Sequence, residues 1–239
     1  MSEIRSLRLG VLAYDFPHKK TQDFLLRLFA EGYKIEAVIA GPRVELKLPP
    51  LGLRTKIRHT ALLHPEGVAG RIGVGYHALP HDDNRVVELI RSLRLDLGII
   101  AGARILKKPL IEAFGIGVIN FHPGLIPEAR GLDALQWSVH QGLPLGVTAH
   151  LIDEHVDAGT TLIKQRIPVY RDDVFQDLSE RLYETQLEML TPAIEAASRG
   201  EGTPVDPATS YNRKMPVDME REVAAKLNEY VRRFSVKSV

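Results

Sequence analysis

The sequence predicts an α/β fold, a doubly wound and mostly parallel sheet with a short C-terminal helical appendage, on three observations. Apolar runs of strand length alternate with segments whose apolar residues recur at helical spacing. The runs at 7–14 and 97–101 are apolar nearly throughout, as strands covered on both faces are. The first two runs are joined by a single helical segment, which makes a βαβ unit and a parallel pair with a right-handed crossover.

Taken in order, residues 7–14 form the first strand, and the polar loop 15–20 leads into a helix over 21–31, whose Phe24, Leu25, Leu28 and Phe29 share one face. A second strand spans 35–40 and closes on Gly41-Pro42. Residues 43–72, broken by Pro49-Pro50, Gly52 and His64-Pro65-Glu66-Gly67, make an irregular connection with room for one helix. A strand at 73–79, a helix capped by Asp83 and running to Leu93, and a buried strand at 97–101 follow. Then come a helix at 105–114, a strand at 117–121, a helix at 132–141, strands at 146–152 and 161–169, and one long amphipathic helix at 174–199. After Gly200 the composition shifts to Gly, Pro and Asp before a charged helix at 218–234, an appendage packed on the main domain or used in association, a homodimer among the possibilities.

At 239 residues the chain can bury one good core, or one core plus a small appendage. A net charge of +1 leaves no large basic field, which argues against nucleic acid as a partner. The absence of cysteine excludes disulfides and thiolate chemistry. The start lacks the apolar core of a signal peptide and no run approaches a membrane span, so the cytoplasm is the expected compartment.

Chemistry concentrates between Asn120 and Gly159. Asn120 and His122, one residue apart, point the same way from a strand end, where Asp157 on a later loop can meet them. The amide of Asn120 can donate to a developing oxyanion, His122 can exchange a proton near neutral pH, and Asp157 can orient or charge-stabilise the imidazole. That trio suits acyl transfer with the substrate's own amine as nucleophile. Pro123-Gly124 ends the strand and permits close backbone approach, which favours an open mouth over a packed strand end.

The same residues carry a resemblance. Asn120-x-His122-Pro123-Gly124-Leu125-x-Pro127, Arg130-Gly131, Trp137, Gly142, Gly146-Val147-Thr148-x-His150 and Asp157-x-Gly159 are similar, in order and spacing, to the 10-formyltetrahydrofolate-dependent formyltransferases. The likeness is concentrated in residues 95–165, is compatible from 7 to 102, and says nothing beyond about 200.

The resemblance implies a Rossmann-like formyltransferase fold with residues 1–200 as the catalytic domain, and the shift in composition sets off 201–239 as the appendage. It implies 10-formyltetrahydrofolate as formyl donor, Asn120, His122 and Asp157 as catalytic residues, and no metal. Arg104, Ile105 and Leu106, with the loop Asp153, Glu154, His155 and Val156, match the segments that hold the pterin; Arg104 is otherwise a solvated side chain, and Ile105 and Leu106 are expected to be buried either way.

Three features stay open at the level of sequence. His150 is either a core histidine donating to a carbonyl or a partner of His122 and Asp157. His122, His150, His155 and Asp157 also have the ligand types of a zinc hydrolase, although no paired motif on one helix supports it. His18, Lys19, Lys20 and Thr21, at a helix start beyond the first strand, are either a solvated turn or contacts to an anionic acceptor, with Arg130 and Tyr211 as further candidates and Arg213 beside Tyr211.

The acceptor is reached by elimination. Glycinamide ribonucleotide transformylases carry a Gly-Ser-rich phosphate loop that is missing here. Methionyl-tRNA formyltransferases carry a further nucleic-acid-binding domain for which the segment after Gly200 is too short, and formyltetrahydrofolate hydrolases carry a regulatory domain ahead of a first strand that here begins by Leu7. A small-molecule amine remains, a nucleotide-linked amino sugar first among them; other small-amine transferases, the hydrolase and a non-catalytic folate-binding protein are the alternatives.

Overall fold

In a computed structural model, which describes residues 2–45, 50–155 and 157–236, the core is an eight-stranded sheet in the order β3-β2-β1-β4-β5-β6-β7-β8. The strands are β1 (Leu9–Tyr14), β2 (Ile35–Gly41), β3 (Gly75–Ala78), β4 (Leu97–Ile100), β5 (Gly117–His122), β6 (Gly146–Leu151), β7 (Gly159–Arg166) and β8 (Thr203–Val205). The first five are parallel to their neighbours, while β6, β7 and β8 add on antiparallel. The connection from β6 to β7 is too short for a crossover helix, so those two strands must form a hairpin.

The apolar strands are explained by cover on both faces. Val11, Val38 and Ile119 enter one core cluster, while their chain neighbours Leu12, Ile39 and Val118 enter the other, the period of two that places successive side chains on opposite faces. The helices are α1 (Ser2–Arg5), α2 (Lys19–Ala30), α3 (Pro65–Arg71), α4 (Asn84–Ser92), α5 (Lys108–Ile111), α6 (Ala134–Gln141), α7 (Phe175–Glu188), α8 (Leu190–Ser198) and α9 (Val217–Phe234). Asp83 caps α4 as its position predicts, its side chain accepting from Arg85 N at 2.9 Å. No helix of the described residues is long and apolar enough to cross a membrane.

Two prolines shorten expected helices. The helix expected over 105–114 is only Lys108–Ile111, because Pro109 has no N–H for the Ile105 carbonyl and its ring would strike that carbonyl. Residues 104–107 are therefore released as loop. The long helix expected over 174–199 is two, broken at Met189, because Pro192 cannot bond to the Glu188 carbonyl and is tolerated only in a new first turn. The segment after Gly200 is not purely helical: β8 pairs with β7 before the chain reaches α9. Three residues carry too short a pattern to be read as a strand, and Pro204 suits the sheet edge, where no N–H is needed.

The chain winds outward through β1, β2 and β3, then returns to β4 and β5 on the other side of β1. The carboxyl ends of β1 and β4 therefore flank the switch point where ligands bind in such sheets, with the end of β5 one strand away.

Candidate active site

Asn120 and His122 stand two apart on β5 and pair with His150 and Thr148 of β6, so the four side chains share one face. His150 is fully buried, and its Nδ1 lies 2.9 Å from the Ala158 carbonyl, which can only accept. Nδ1 thus carries the hydrogen and Nε2 is a bare acceptor for the Asn120 amide, 3.2 Å away. Burial pushes the His150 pKa down to about 4, outweighing the carbonyl of Ala158 and the charge of Asp157, so the ring is neutral at physiological pH. One amide hydrogen of Asn120 is committed to that ring, and the second is left to donate at the mouth. The reading of His150 as a core histidine donating to a carbonyl is the one the structure shows, and the side chain it holds is Asn120 rather than His122 or Asp157.

Asp157 sits at φ 44° in the left-handed region, and Gly159 follows at φ 81°, where a β-carbon would overlap the Leu151 carbonyl. This turn brings Asp157 Oδ2 to 3.4 Å from His122 Nδ1 and Oδ1 to 3.9 Å from His150 Nε2. The same Oδ2 accepts from Gly131 N at 2.9 Å. His122 Nε2 donates to the Ala129 carbonyl at 2.7 Å, which leaves Nδ1 as the nitrogen facing Asp157. Gly124 permits that bond, since a β-carbon there would stand 2.8 Å from His122 Nε2 and 2.7 Å from the Ala129 oxygen. Thr148 pins the loop from below, donating to Gly124 O at 2.8 Å and accepting from Ile126 N at 3.0 Å.

The segments matched to the pterin face one another. Lys108 and Glu154 pair at 3.6 Å across the gap, and Leu106, buried as expected, shares a core cluster with Ile152. Ile105 is 87% exposed, contrary to the expected burial, because Pro109 delays the helix and leaves the side chain on open loop. Arg104 is exposed and donates from Nη2 to the Val44 carbonyl at 3.2 Å. Asp153 accepts from the His155 amide at 2.8 Å and lies 3.3 Å from its ring, so His155 is turned to Asp153. Val156 lies outside the described residues.

The residues matched to an acceptor divide. Lys19 is diverted onto the flank of α2, 3.0 Å from Asp23, 4.0 Å from Glu180 and 3.6 Å above the Tyr183 ring. Thr21 is fully buried and bonds to His18 Nδ1 at 3.1 Å. Burial, followed by the charges of Lys20 and Lys56, pushes the His18 pKa down to about 4. Lys20 points instead toward β5, 3.5 Å from the Phe121 carbonyl between Asn120 and His122. Burial, followed by the charge of Lys56, lowers its pKa to about 7. Arg130 is buried, its guanidinium held by the carbonyls of Asp206 (3.2 Å) and Thr209 (2.7 Å), so it anchors the tail rather than facing a ligand. Tyr211 is half-exposed beside that anchor.

A family model described as "Formyl transferase" matches residues 56–194. The chain belongs to that family. Its formyl donor is 10-formyltetrahydrofolate, and its members are transferases. A methionyl-tRNA formyltransferase of Citrifermentans bemidjiense is 29% identical over 96% of this chain and 71% of its own length. One from Trichlorobacter lovleyi is 34% identical over 57% of this chain and 44% of its own. Among solved structures, a glycinamide ribonucleotide transformylase from Symbiobacterium toebii superposes with a TM-score of 0.62 at 22% identity, covering 84% of this chain and 95% of the other. A sugar N-formyltransferase from a Shewanella species gives 0.61 at 17%, covering 91% and 86%. At these identities the structures speak to the fold alone.

Several parts of the candidate site escape sequence reasoning. The Gly131 amide on Asp157 and the Ala129 carbonyl on His122 are backbone groups, for which residue type carries no signal. Asn212 bridges Gly131 from a segment 81 residues away: Asn212 N donates to Arg130 O at 2.8 Å and Asn212 O accepts from Leu132 N at 2.9 Å. Gly131, at φ 97°, offered the available hint, since its lack of a side chain is what lets Asn212 approach.

Proposed function

We propose that the chain is an N-formyltransferase carrying the formyl group of 10-formyltetrahydrofolate to the primary amine of a small anionic molecule, a nucleotide-linked amino sugar. One observation carries this reading: Asn120, His122 and Asp157 converge on one mouth, each with its remaining hydrogen-bonding capacity oriented by a fixed partner. The exposed Ile105, opposite the polar loop that begins at Asp153, fits a flat ring with an apolar face and a hydrogen-bonding edge. The donor supplies a formyl carbon on N10, a nitrogen that leaves once protonated.

As the acceptor amine attacks, a carbon–nitrogen bond forms and charge develops on the formyl oxygen, where the free amide hydrogen of Asn120 donates. His122 Nδ1, with Nε2 held by Ala129, is the atom through which a proton enters or leaves. Asp157 draws the amine's proton toward the site and stabilises the imidazolium while Nδ1 carries it. The proton reaches N10 as the carbon–N10 bond breaks, so atoms and charge balance without a protein nucleophile.

The anionic acceptor is supported by Lys20, aimed at the catalytic strand from the first turn of α2 with Lys56 near it. Tyr211 is a further candidate contact. Lys20→Ala should raise the acceptor's KM, more strongly at low salt, and leave the folate KM unchanged, whereas Lys19→Ala should do little because Asp23 already holds that charge. A double variant no worse than Lys19→Ala alone would remove the lysine site. The similarity over 96% of the chain to a methionyl-tRNA formyltransferase favours a second reading, in which the amine belongs to an aminoacyl-tRNA. Tetrahydrofolate release measured with diphosphonucleoside amino sugars, glycinamide ribonucleotide and methionyl-tRNA separates the two.

A further inference from the structure

We propose that Glu220, on the C-terminal helix, is a positioning residue for the acceptor side, holding the strap of residues 50–64 so that Lys56 stands with Lys20 against an anionic acceptor. The inference rests on the anionic-acceptor reading and adds a part of the chain remote from the catalytic strand.

Glu220 lies in the first turn of α9 and is 1% exposed. Its Oε2 accepts from the amides of Gly52 (2.6 Å) and Leu53 (3.2 Å), and its Oε1 from Lys214 Nζ (3.1 Å). Lys214 also bonds Asp133 at 2.9 Å, whose carboxylate takes the Met215 amide at 2.8 Å. Two backbone donors on a buried carboxylate are charge-assisted bonds, stronger than neutral ones. The approach requires a glycine, because a β-carbon on Gly52 would stand 2.7 Å from the Val217 carbonyl.

From that clasp the strap runs across the amino ends of α7 and α2. Gln176 donates to the Arg54 carbonyl at 2.7 Å, His59 lies 3.4 Å from Glu180, and the Leu63 amide donates to Gln22 at 3.0 Å. His64 reaches Asp15, at the end of β1, at 3.6 Å. Lys56 sits between the Arg54 and His59 ties; Glu180, which faces His59, also lies 4.0 Å from Lys19, and Gln22 holds Leu63, so the strap passes the first turn of α2 that carries Lys20. The charge of Lys56 accordingly helps to lower the pKa of both Lys20 and His18. Leu53 packs partly buried against the core beside the clasp, whereas Leu51, Ile57 and Leu63 are exposed, so beyond Leu53 polar ties set the strap's course. The ties other than Glu220 involve exposed or part-exposed groups, which contribute little each. The buried carboxylate is therefore the bond whose loss frees the strap.

The test uses the full chain, with inorganic pyrophosphate and tetrahydrofolate as separate calorimetric probes and amide hydrogen exchange over residues 50–58. Lys56→Ala should weaken pyrophosphate binding by roughly tenfold without changing exchange, the size expected for one charge-assisted contact. Glu220→Ala should weaken it similarly and also speed exchange at Gly52 and Leu53, with tetrahydrofolate binding unchanged in both. If Glu220→Ala speeds exchange yet binds pyrophosphate as the parent does, the positioning role is wrong and the anionic acceptor stands. If the parent does not bind pyrophosphate, or Lys20→Ala and Lys56→Ala bind it equally well, the anionic acceptor falls and this inference with it. Should Glu220→Ala not fold, Glu220→Gln, which keeps volume but loses the charge, carries the same two readouts and the same outcomes.

Discussion

Asn120, His122 and Asp157 each depend on a neighbour that fixes their direction: His150 for the amide, Ala129 for the imidazole, Gly131 for the carboxylate. If they act on developing charge, replacing any one by Ala should lower kcat by roughly 10²-fold or more while folate affinity is kept. Single-turnover formyl transfer beside equilibrium folate binding measures both, and near-normal turnover in any two variants would sink the assignment. His150 gives a pH prediction. Its native pKa of about 4 lies below the ordinary value of 6.5, so between those pH values the unfolded chain binds the extra proton. Stability is therefore lost on acidification from pH 6.5 toward 4, by up to about 3 kcal/mol from this ring. His18, shifted the same way, adds to the slope. Urea midpoints that stay flat from pH 7 to 4.5 would contradict a neutral buried His150.

At the scale of elements, the site is a meeting of loops held by backbone contacts. The Arg130–Gly131 stretch touches Asp157 on one side and Asn212 on the other. Gly131→Ala would place a β-carbon into the Asn212 carbonyl at a left-handed φ, and should destabilise the chain by roughly 2–5 kcal/mol. Chemical denaturation reads that loss, and a parent-like midpoint would mean that the two segments do not pack as closely as described. The proline effects are of the same kind. Helical periodicity continues through Pro109 and Pro192, yet each removes one N–H and places a ring against a carbonyl, and the helices yield there. At 104–107 that yielding has a functional correlate, since it leaves Ile105 open beside the candidate folate cleft.

For the whole molecule, the segment after Gly200 is part of the core. β8 extends the sheet, α9 buries Val223, Leu227, Tyr230 and Val231, and Tyr230 donates to the Leu143 carbonyl at 2.7 Å. Four such side chains at roughly 1.5–3 kcal/mol each amount to about 6–12 kcal/mol, comparable with the entire stability of an ordinary domain. A chain ending at Gly200 should therefore fail to unfold cooperatively and should bind apolar dyes. A truncated chain with a sharp, parent-like transition would show that the core stands without the tail, leaving association as its role.

Strand positions, the βαβ start, the Asp83 cap and the residues that meet at the mouth were legible because they follow from local periodicity and from fixed offsets between polar residues. Asn120 and His122 share a face by strand geometry alone, and Asp157 was marked by the resemblance that its spacing to them carried. Tertiary structure alone decided which polar groups have room to act. It sent Lys19 to Asp23 and Lys20 to β5, buried Arg130 against tail carbonyls, and opened Ile105. It also supplied Gly131, Ala129, Asn212 and Glu220 as partners. The reason is physical: a side chain's charge and size are written in its own residue, but its solvation, its hydrogen-bond partner and the backbone groups it meets belong to segments distant along the chain, and these are fixed only when the chain has folded.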